Sequence, residues 1–395
     1  MENSQQIGRA AFLRLAGLGI VAAGASSLLP AREVLADTMA ARTLAAYSGN
    51  FSTAIELAGL NLDDGRLTGT GAVPGVDSPA FLIFNADGSS VYAVNDTNDG
   101  RVTALSVESG GGLAVLGSQS AGASMPTHLA VHPGGQHLIV ANYGSGSTAV
   151  FPILADGALG PRADLVQYEG SGPVPGRQEG PHAHMVAITP EGRYVLVPDL
   201  GTDRIHVHAL DATTGKLDTL GEAQFRPGAG PRHLVFHPTA PCLYVADELD
   251  STVTVCAYDA DRAAVTPGQV VSTVPDGVRE NFPAEILISA DGRFAYVSNR
   301  GHDSIARFAV EADGERLRLV DTVSCGGRWP RHIAVTPDGR WMYASNQNSN
   351  SVTAFRVDPA SGEISPVGEP FSTPSPVCLL IGGAIGRTPS RGAQR

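Results

Sequence analysis

The 395-residue chain is 43% hydrophobic and 17% charged, a balance that fits a folded globular protein and not a disordered one. Its formal net charge of -12 argues against a nucleic-acid binder. Four cysteines without a Cys-x-x-Cys pair give no zinc-ribbon or dithiol redox motif, and 47 Gly with 27 Pro point to many tight turns between short strands.

In chain order, residues 1–36 read as an export signal. Arg9 and Arg14 precede the apolar run LAGLGIVAAGASSLLP, and Val34-Leu35-Ala36 offers a cleavage point. The run is too short and too rich in Gly and Ser for a membrane-spanning helix. The segment Arg9 to Arg14 also resembles a twin-arginine signal, with Ala10 where the second arginine is expected. The protein is therefore expected to act outside the cytoplasm.

Beyond it a single motif repeats. A short apolar strand begins at a Pro, turns, and runs back as a second apolar strand ending in Asn or Asp. The residue two after the Pro, or its equivalent, is Phe81, His128, His184, His233, Glu285, His332 and Cys378, with gaps of 47, 56, 49, 52, 47 and 46 residues. Each complete copy continues through a second turn (NDTND, NYGSG, DLGTD, DELDS, NRGHD, NQNSN) into a third and a fourth strand. Four antiparallel strands recurring at such a period mark a propeller blade. The fold class is all-β, a seven-bladed β-propeller spanning 43–381 as one domain.

The two ends are incomplete copies. Residues 43–75 supply three strands without an innermost one, and Pro376 to Ile381 supply an innermost strand with nothing after it. Together they complete one blade and close the ring, which removes the sheet edges an open array exposes. Residues 382–395 are expected to be a disordered tail.

Closure brings the strand starts and the turns between second and third strands to one mouth of the channel. Delivered there are His128, His182, His184, Arg232, His233, Glu285, Arg331 and His332, with Asn142, Asp199, Glu248, Asn299 and Arg300 from the turns. The long segment QYEGSGPVPGRQEGPHAH enters beside them, so Arg177 or Gln178 is expected to reach the pocket. Lys216 is the single lysine, so the abundance of arginine carries less weight than its location. Imidazoles, guanidinium groups and a carboxylate converging in an acidic protein suit a small anion. The set holds candidate bases in His184 and Glu248, and in Arg232 and Arg300 donors for a developing oxyanion or for a substrate carboxylate or phosphate. Arg232 is expected to matter most for turnover.

The segments GRQEGPHAH, PGAGPRHLVFHP, DELDSTVTV, SNRGHDSIARF and PRHIAVTPDGR resemble the seven-bladed lactonase family, which includes bacterial 6-phosphogluconolactonase and fungal 3-carboxy-cis,cis-muconate cyclase. The resemblance covers roughly residues 43 to 381 and implies His184, Arg232, Glu248 and Arg300 as catalytic residues. Substrate contacts are then expected from His182, Arg177, Gln178, His128, Asn142, His233, Glu285, Asn299, Arg331 and His332, with no cofactor or metal and no partner other than a small anionic lactone. A lactone-forming cyclase and a non-catalytic binding propeller are the alternatives. Two further readings stay open. Glu248, Glu285, Asp199 and Asn299 could offer oxygens to Ca²⁺, and Cys242 and Cys256, on neighbouring strands, could pair after export if their β-carbons face each other.

Overall fold

The second strand of each copy is the most uniformly apolar, and its burial shows why. Ser90–Asn95, His137–Asn142, Tyr194–Asp199, Cys242–Asp247 and Trp341–Asn346 are buried at every residue, on both faces. A strand covered on both faces must lie in a sheet packed between two others, which in a closed ring is true of every blade. A computed structural model of the protein describes residues 43–384; the export signal expected at 1–36 and the tail from residue 385 lie outside them.

Seven four-stranded antiparallel sheets form the ring, and in six of them the strands follow one another in sequence. The seventh joins Pro376–Ala384 to Thr43–Asn50, Ala54–Asn61 and Leu67–Pro74. Tyr47 lies opposite Leu380 and Gly49 opposite Cys378, so the last strand becomes the innermost strand of the first blade. This strand runs to Ala384, three residues past the expected limit of 381, because Leu44 still offers it a pairing partner at Ala384.

The core consists of layers between neighbouring blades. In one of them Leu196 and Ile205 of one sheet meet Leu234, Leu243 and Val245 of the next. A tyrosine three residues before the strand-end Asn or Asp fastens five of these joints. Tyr47, Tyr92, Tyr244, Tyr296 and Tyr343 each donate a hydrogen bond, at 2.8 to 3.0 Å, to a glycine carbonyl of the following blade. Ile139 and Leu196 hold the equivalent place in the other two second strands and are fully buried.

Cys242 and Cys256 stay apart as free thiols. Cys242 is paired in register with Ala257 and Cys256 with Leu243, an offset of one residue. In a pleated sheet that offset sends the two side chains to opposite faces, where they join different apolar layers.

Tyr343→Phe tests the fastening where the ring closes, because Tyr343 bonds Gly65 across the junction of the last and first blades. The buried Gly65 carbonyl would lose its donor, at a cost of about 1 to 3 kcal/mol. Denaturant unfolding should show the lower midpoint with an unchanged slope.

Candidate active site

The residue after each strand-end Asn or Asp begins the turn at the mouth, and five of these residues reach one cavity. Phe51, Asp96, Tyr143, Glu248 and Arg300 occupy this position in five copies, and all five line one cavity of about 380 Å³ with Met125, Thr127, Arg177, His184 and Arg331. The strand-end residues themselves are spent on structure. Asn142 Nδ2 donates to Ser147 Oγ, and Asn299 Nδ2 to the Thr273 carbonyl and Ser304 Oγ. Both were expected to touch substrate. Their side-chain amide nitrogens close the turns instead, while Asn142 Oδ1 has no hydrogen-bond partner among the described residues.

Glu248 is the centre of the site. Its carboxylate is 4% exposed and receives Arg177 on one oxygen, while the other lies 2.6 Å from Arg300 and 3.1 Å from Arg232. Burial alone would raise its proton affinity, but the guanidinium groups of Arg300, Arg232 and Arg177 prevail and hold its pKa far below the ordinary 4.5. A carboxylate so engaged is a poor base. Its oxygens hold the arginines in place, which favours His184 of the two candidate bases.

Arg232 also departs from expectation. It is 2% exposed, donates through Nη1 to the Ala284 carbonyl at 2.6 Å, and lies behind Glu248, outside the cavity lining. Its Nε approaches Glu248 without the alignment of a hydrogen bond. Arg300 is the arginine presented to the cavity: its Nε is anchored on the Phe282 carbonyl, and Nη2 is shared between Glu248 and the Pro283 carbonyl. The Trp329 ring lies 5.7 Å from its guanidinium carbon.

Arg331 faces the same cavity with no hydrogen bond or ion pair among the described residues, its nearest ring being Phe51 at 5.4 Å. Burial and the neighbouring Arg300 push its pKa down to about 10. The guanidinium groups of Arg177, Arg300 and Arg331 thus outnumber the carboxylates of Asp96 and Glu248 in the lining.

His184 enters on an interrupted innermost strand. In that copy only Ala187–Ile188 is regular, Ala183 forms a lone bridge to Asp199, and His184 N–H bonds the Pro198 carbonyl. Its ring is buried, with Nδ1 lacking a hydrogen-bond partner. Burial first, then Arg232, His233, Arg331 and Arg300, hold its pKa well below 6.5, so the imidazole is neutral at pH 7. His182 stacks on Tyr143 at 4.4 Å, and its Nδ1 lies 2.9 Å from the Tyr143 carbonyl oxygen.

The long segment divides its two expected contacts. Arg177 lines the cavity and pairs with Glu248, whereas Gln178 is buried away from it. The Gln178 amide donates to the Leu200 carbonyl and to Asp203 Oδ1, and its oxygen accepts from Val174 N–H. It anchors the loop that presents its neighbour.

His128, His233, Glu285 and His332 lie in the channel and not in the cavity lining. His233 Nδ1 is 3.1 Å from Glu285 Oε1 and His332 Nε2 is 3.6 Å from Oε2, while the His128 ring packs 4.2 Å from Phe81. The oxygens considered for Ca²⁺ are likewise engaged: Asp199 Oδ1 accepts from the His182 and Gly201 amides, and Glu248 from arginines. No cluster of His, Cys, Asp and Glu suited to a metal ion occurs among the described residues.

Phe51, Asp96, Met125, Thr127 and Tyr143 were not expected in the site. Reading the repeat one residue past the strand-end Asn would have found Phe51, Asp96 and Tyr143, and one residue before the histidine anchor would have found Thr127.

The model of the seven-bladed β-propeller lactonase family matches residues 42–381. A Bacillus subtilis protein named 6-phosphogluconolactonase is 33% identical over 76% of this chain and 86% of its own length. Among solved structures, the periplasmic gluconolactonase of Pseudomonas aeruginosa is 29% identical with a TM-score of 0.82, covering 87% of this chain and 99% of that one. A Lactobacillus plantarum protein is 32% identical with a TM-score of 0.81, covering 86% and 99%. The chain belongs to the seven-bladed β-propeller lactonase family, and lactone hydrolysis is supported at the level of that family.

Glu248→Gln should expose the dependence of the arginines on their counter-charge. Breaking a buried pair costs about 3 to 5 kcal/mol, readable as a lowered unfolding midpoint at pH 7. In the wild type the folded pKa of Glu248 is depressed, so its contribution is fully present above the ordinary 4.5 and is lost only as pH falls toward the lowered folded value. The difference in stability between variant and wild type should therefore persist at pH 5 and shrink in stronger acid.

Proposed function

We propose that the protein opens a lactone bearing a carboxylate or phosphate, as a 6-phosphogluconolactonase-like carboxylic ester hydrolase acting after export. The observation that carries this reading is the surplus of guanidinium groups in the cavity. Arg177 and Arg300 are matched to Glu248, but Arg331 remains without a hydrogen bond or ion pair beside a neutral, buried imidazole. A bound anion would neutralise that surplus, and a lactone carbonyl beside His184 would meet a base and a cation together. The names of the B. subtilis and P. aeruginosa relatives support the reaction, and that of the latter supports a location outside the cytoplasm.

The chemistry follows from the residues. His184 is neutral, and its open nitrogen takes a proton from water while the resulting hydroxide adds to the lactone carbonyl. Charge on the carbonyl oxygen falls to Arg300, a rigidly anchored donor of the kind worth about 3 to 4 kcal/mol of barrier. As the intermediate collapses, the ring oxygen leaves and takes the proton back from His184. Arg331 and Arg177 hold the substrate's own anionic group. Arg232, which bonds Ala284 and backs Glu248, keeps Arg300 in place and does not touch the carbonyl.

A screen of sugar, phosphosugar and muconate-derived lactones tests the proposal, with and without chelator. Hydrolysis of none of them, with a ligand still bound at the mouth, would favour a binding propeller. On the best substrate, Arg331→Ala should raise KM by tenfold or more with kcat within a few-fold, since an anchoring contact serves ground and transition states alike. His184→Ala should lower kcat by about 10²- to 10⁴-fold.

The pH dependence has a definite sign. A base must be unprotonated, and the folded pKa of His184 lies below 6.5. Activity should therefore hold steady through pH 6.5 as the solution is acidified and fall only below it, in a plot of kcat/KM against pH.

A further inference from the structure

The channel floor contains a buried carboxylate that the mechanism does not use. Glu285 is 6% exposed and, among the described residues, has no arginine or lysine in ion-pair contact. Its oxygens meet His233 Nδ1 at 3.1 Å, the Ile286 amide at 3.2 Å, and His332 Nε2 at 3.6 Å. Two other copies fill the equivalent place with Phe81 and Cys378, so packing alone is served by apolar side chains there. A buried carboxylate is costly unless matched, and plugging the channel does not require one.

Hydrogen bonding gives the carboxylate a direction of action. An ionised Glu285 can only accept, so His233 Nδ1 carries the proton and its Nε2 is left with a lone pair. The His233 ring stands 5.1 Å from the His184 ring, centre to centre, at an interplanar angle of 69°. No hydrogen bond joins the two rings in this structure, but their separation is within reach of one, since imidazoles joined by an in-line N–H···N bond of about 2.9 Å have ring centres roughly 5 Å apart. His184 Nδ1 is buried without a partner, which leaves Nε2 as its nitrogen open to the cavity. For Nε2 to accept a proton from water, Nδ1 must hold the other one and needs an acceptor.

We propose that Glu285, acting through His233, is a positioning residue for His184: it fixes the tautomer that leaves His184 Nε2 free as the base and steadies the positive charge that forms there. Glu285 takes no proton itself. The charged and titratable groups around His184 are Arg232, His233, Arg300 and Arg331, with Asp96, Arg177 and Glu248 in the same cavity lining and Tyr143 at 5.5 Å. Three of these arginines oppose an imidazolium, and Glu248 is already engaged by guanidinium groups. Asp96 of the cavity lining is opposed by Arg331, and Glu285 is the carboxylate in contact with an imidazole that packs beside His184. His128, whose ring is 5.2 Å from His233, accepts the Val186 amide at Nδ1 and so has no free acceptor at Nε2 for His184.

This inference rests on His184 being the base, so its test begins without substrate. Nitrogen-15 chemical shifts of the wild-type protein should show His184 as the Nδ1–H tautomer, and titration should show its pKa lowered by Glu285→Gln. With a lactone substrate, Glu285→Gln should lower kcat by about 10²-fold or more, leave KM within a few-fold, and move the acid limb of kcat/KM to lower pH. His233→Gln, whose amide can donate to Glu285 and accept from His184, should retain much more activity than His233→Phe. The His233 pair also serves if Glu285→Gln fails to fold. An Nε2–H tautomer in the wild type, an unshifted His184 titration in Glu285→Gln, or equal activity of the two His233 variants would overturn the proposal. Tautomer and titration as expected without turnover of any lactone would leave the coupling intact and count against the hydrolase reading alone.

Discussion

Pairing of the last strand with the first is the constraint on which the remaining geometry depends. Until Pro376–Ala384 docks on Thr43–Asn50, the first blade lacks its innermost strand and the outermost blades have bare edges. Once it docks, every sheet has two neighbours, every second strand is covered on both faces, and the innermost strands are forced around one axis. The tyrosine-to-glycine bonds then lock blade against blade. A site assembled from turns far apart in sequence needs this rigidity, because each turn delivers only one or two groups.

Within the mouth the governing interaction is the carboxylate of Glu248 with Arg177, Arg232 and Arg300. Arginines this close repel one another, and burial strengthens the repulsion. Glu248 makes their approach tolerable and sets their directions, with Arg232 turned to the protein and Arg300 to the cavity. The cost appears in the groups around it: Arg331 and His184 both hold their protons less firmly than usual. In the proposed mechanism, with His184 as the base and Arg331 as the anion-binding group, that loss is useful. The imidazole stays neutral at working pH, and the guanidinium gains by meeting an anion.

Beneath the mouth the seven anchor positions meet and close the channel. Phe81 and Cys378 fill space, while His233 and His332 contact the Glu285 carboxylate and the rings of His128 and His184 pack against His233. A ring of repeats places equivalent residues at one centre, so a departure from the apolar choice in several copies has its effect at a single point. The functional asymmetry of a near-symmetric fold is written in these few positions.

The number of blades, the closure by both termini and the face that carries the site were all legible in the sequence, since they follow from period, strand alternation and turn residues, which are local. The presence of His184, Glu248, Arg300, Arg331 and Arg177 at the mouth was legible for the same reason. Their roles were not. Asn142, Asn299 and Gln178 are as polar as the residues that line the cavity, yet they are spent on the Ser147 hydroxyl and on backbone carbonyls of nearby turns. Glu248 reads as a base until three guanidinium groups are seen on it, and Arg232 as an oxyanion donor until its bond to Ala284 turns it away. Cys242 and Cys256 lie on adjacent strands, but a one-residue offset in register separates their faces. Sequence by itself determined which groups arrive at the mouth, because the repeat fixes their place along each strand. Only the tertiary structure decided which of them face the cavity, because proton affinity and direction depend on neighbours contributed by other blades.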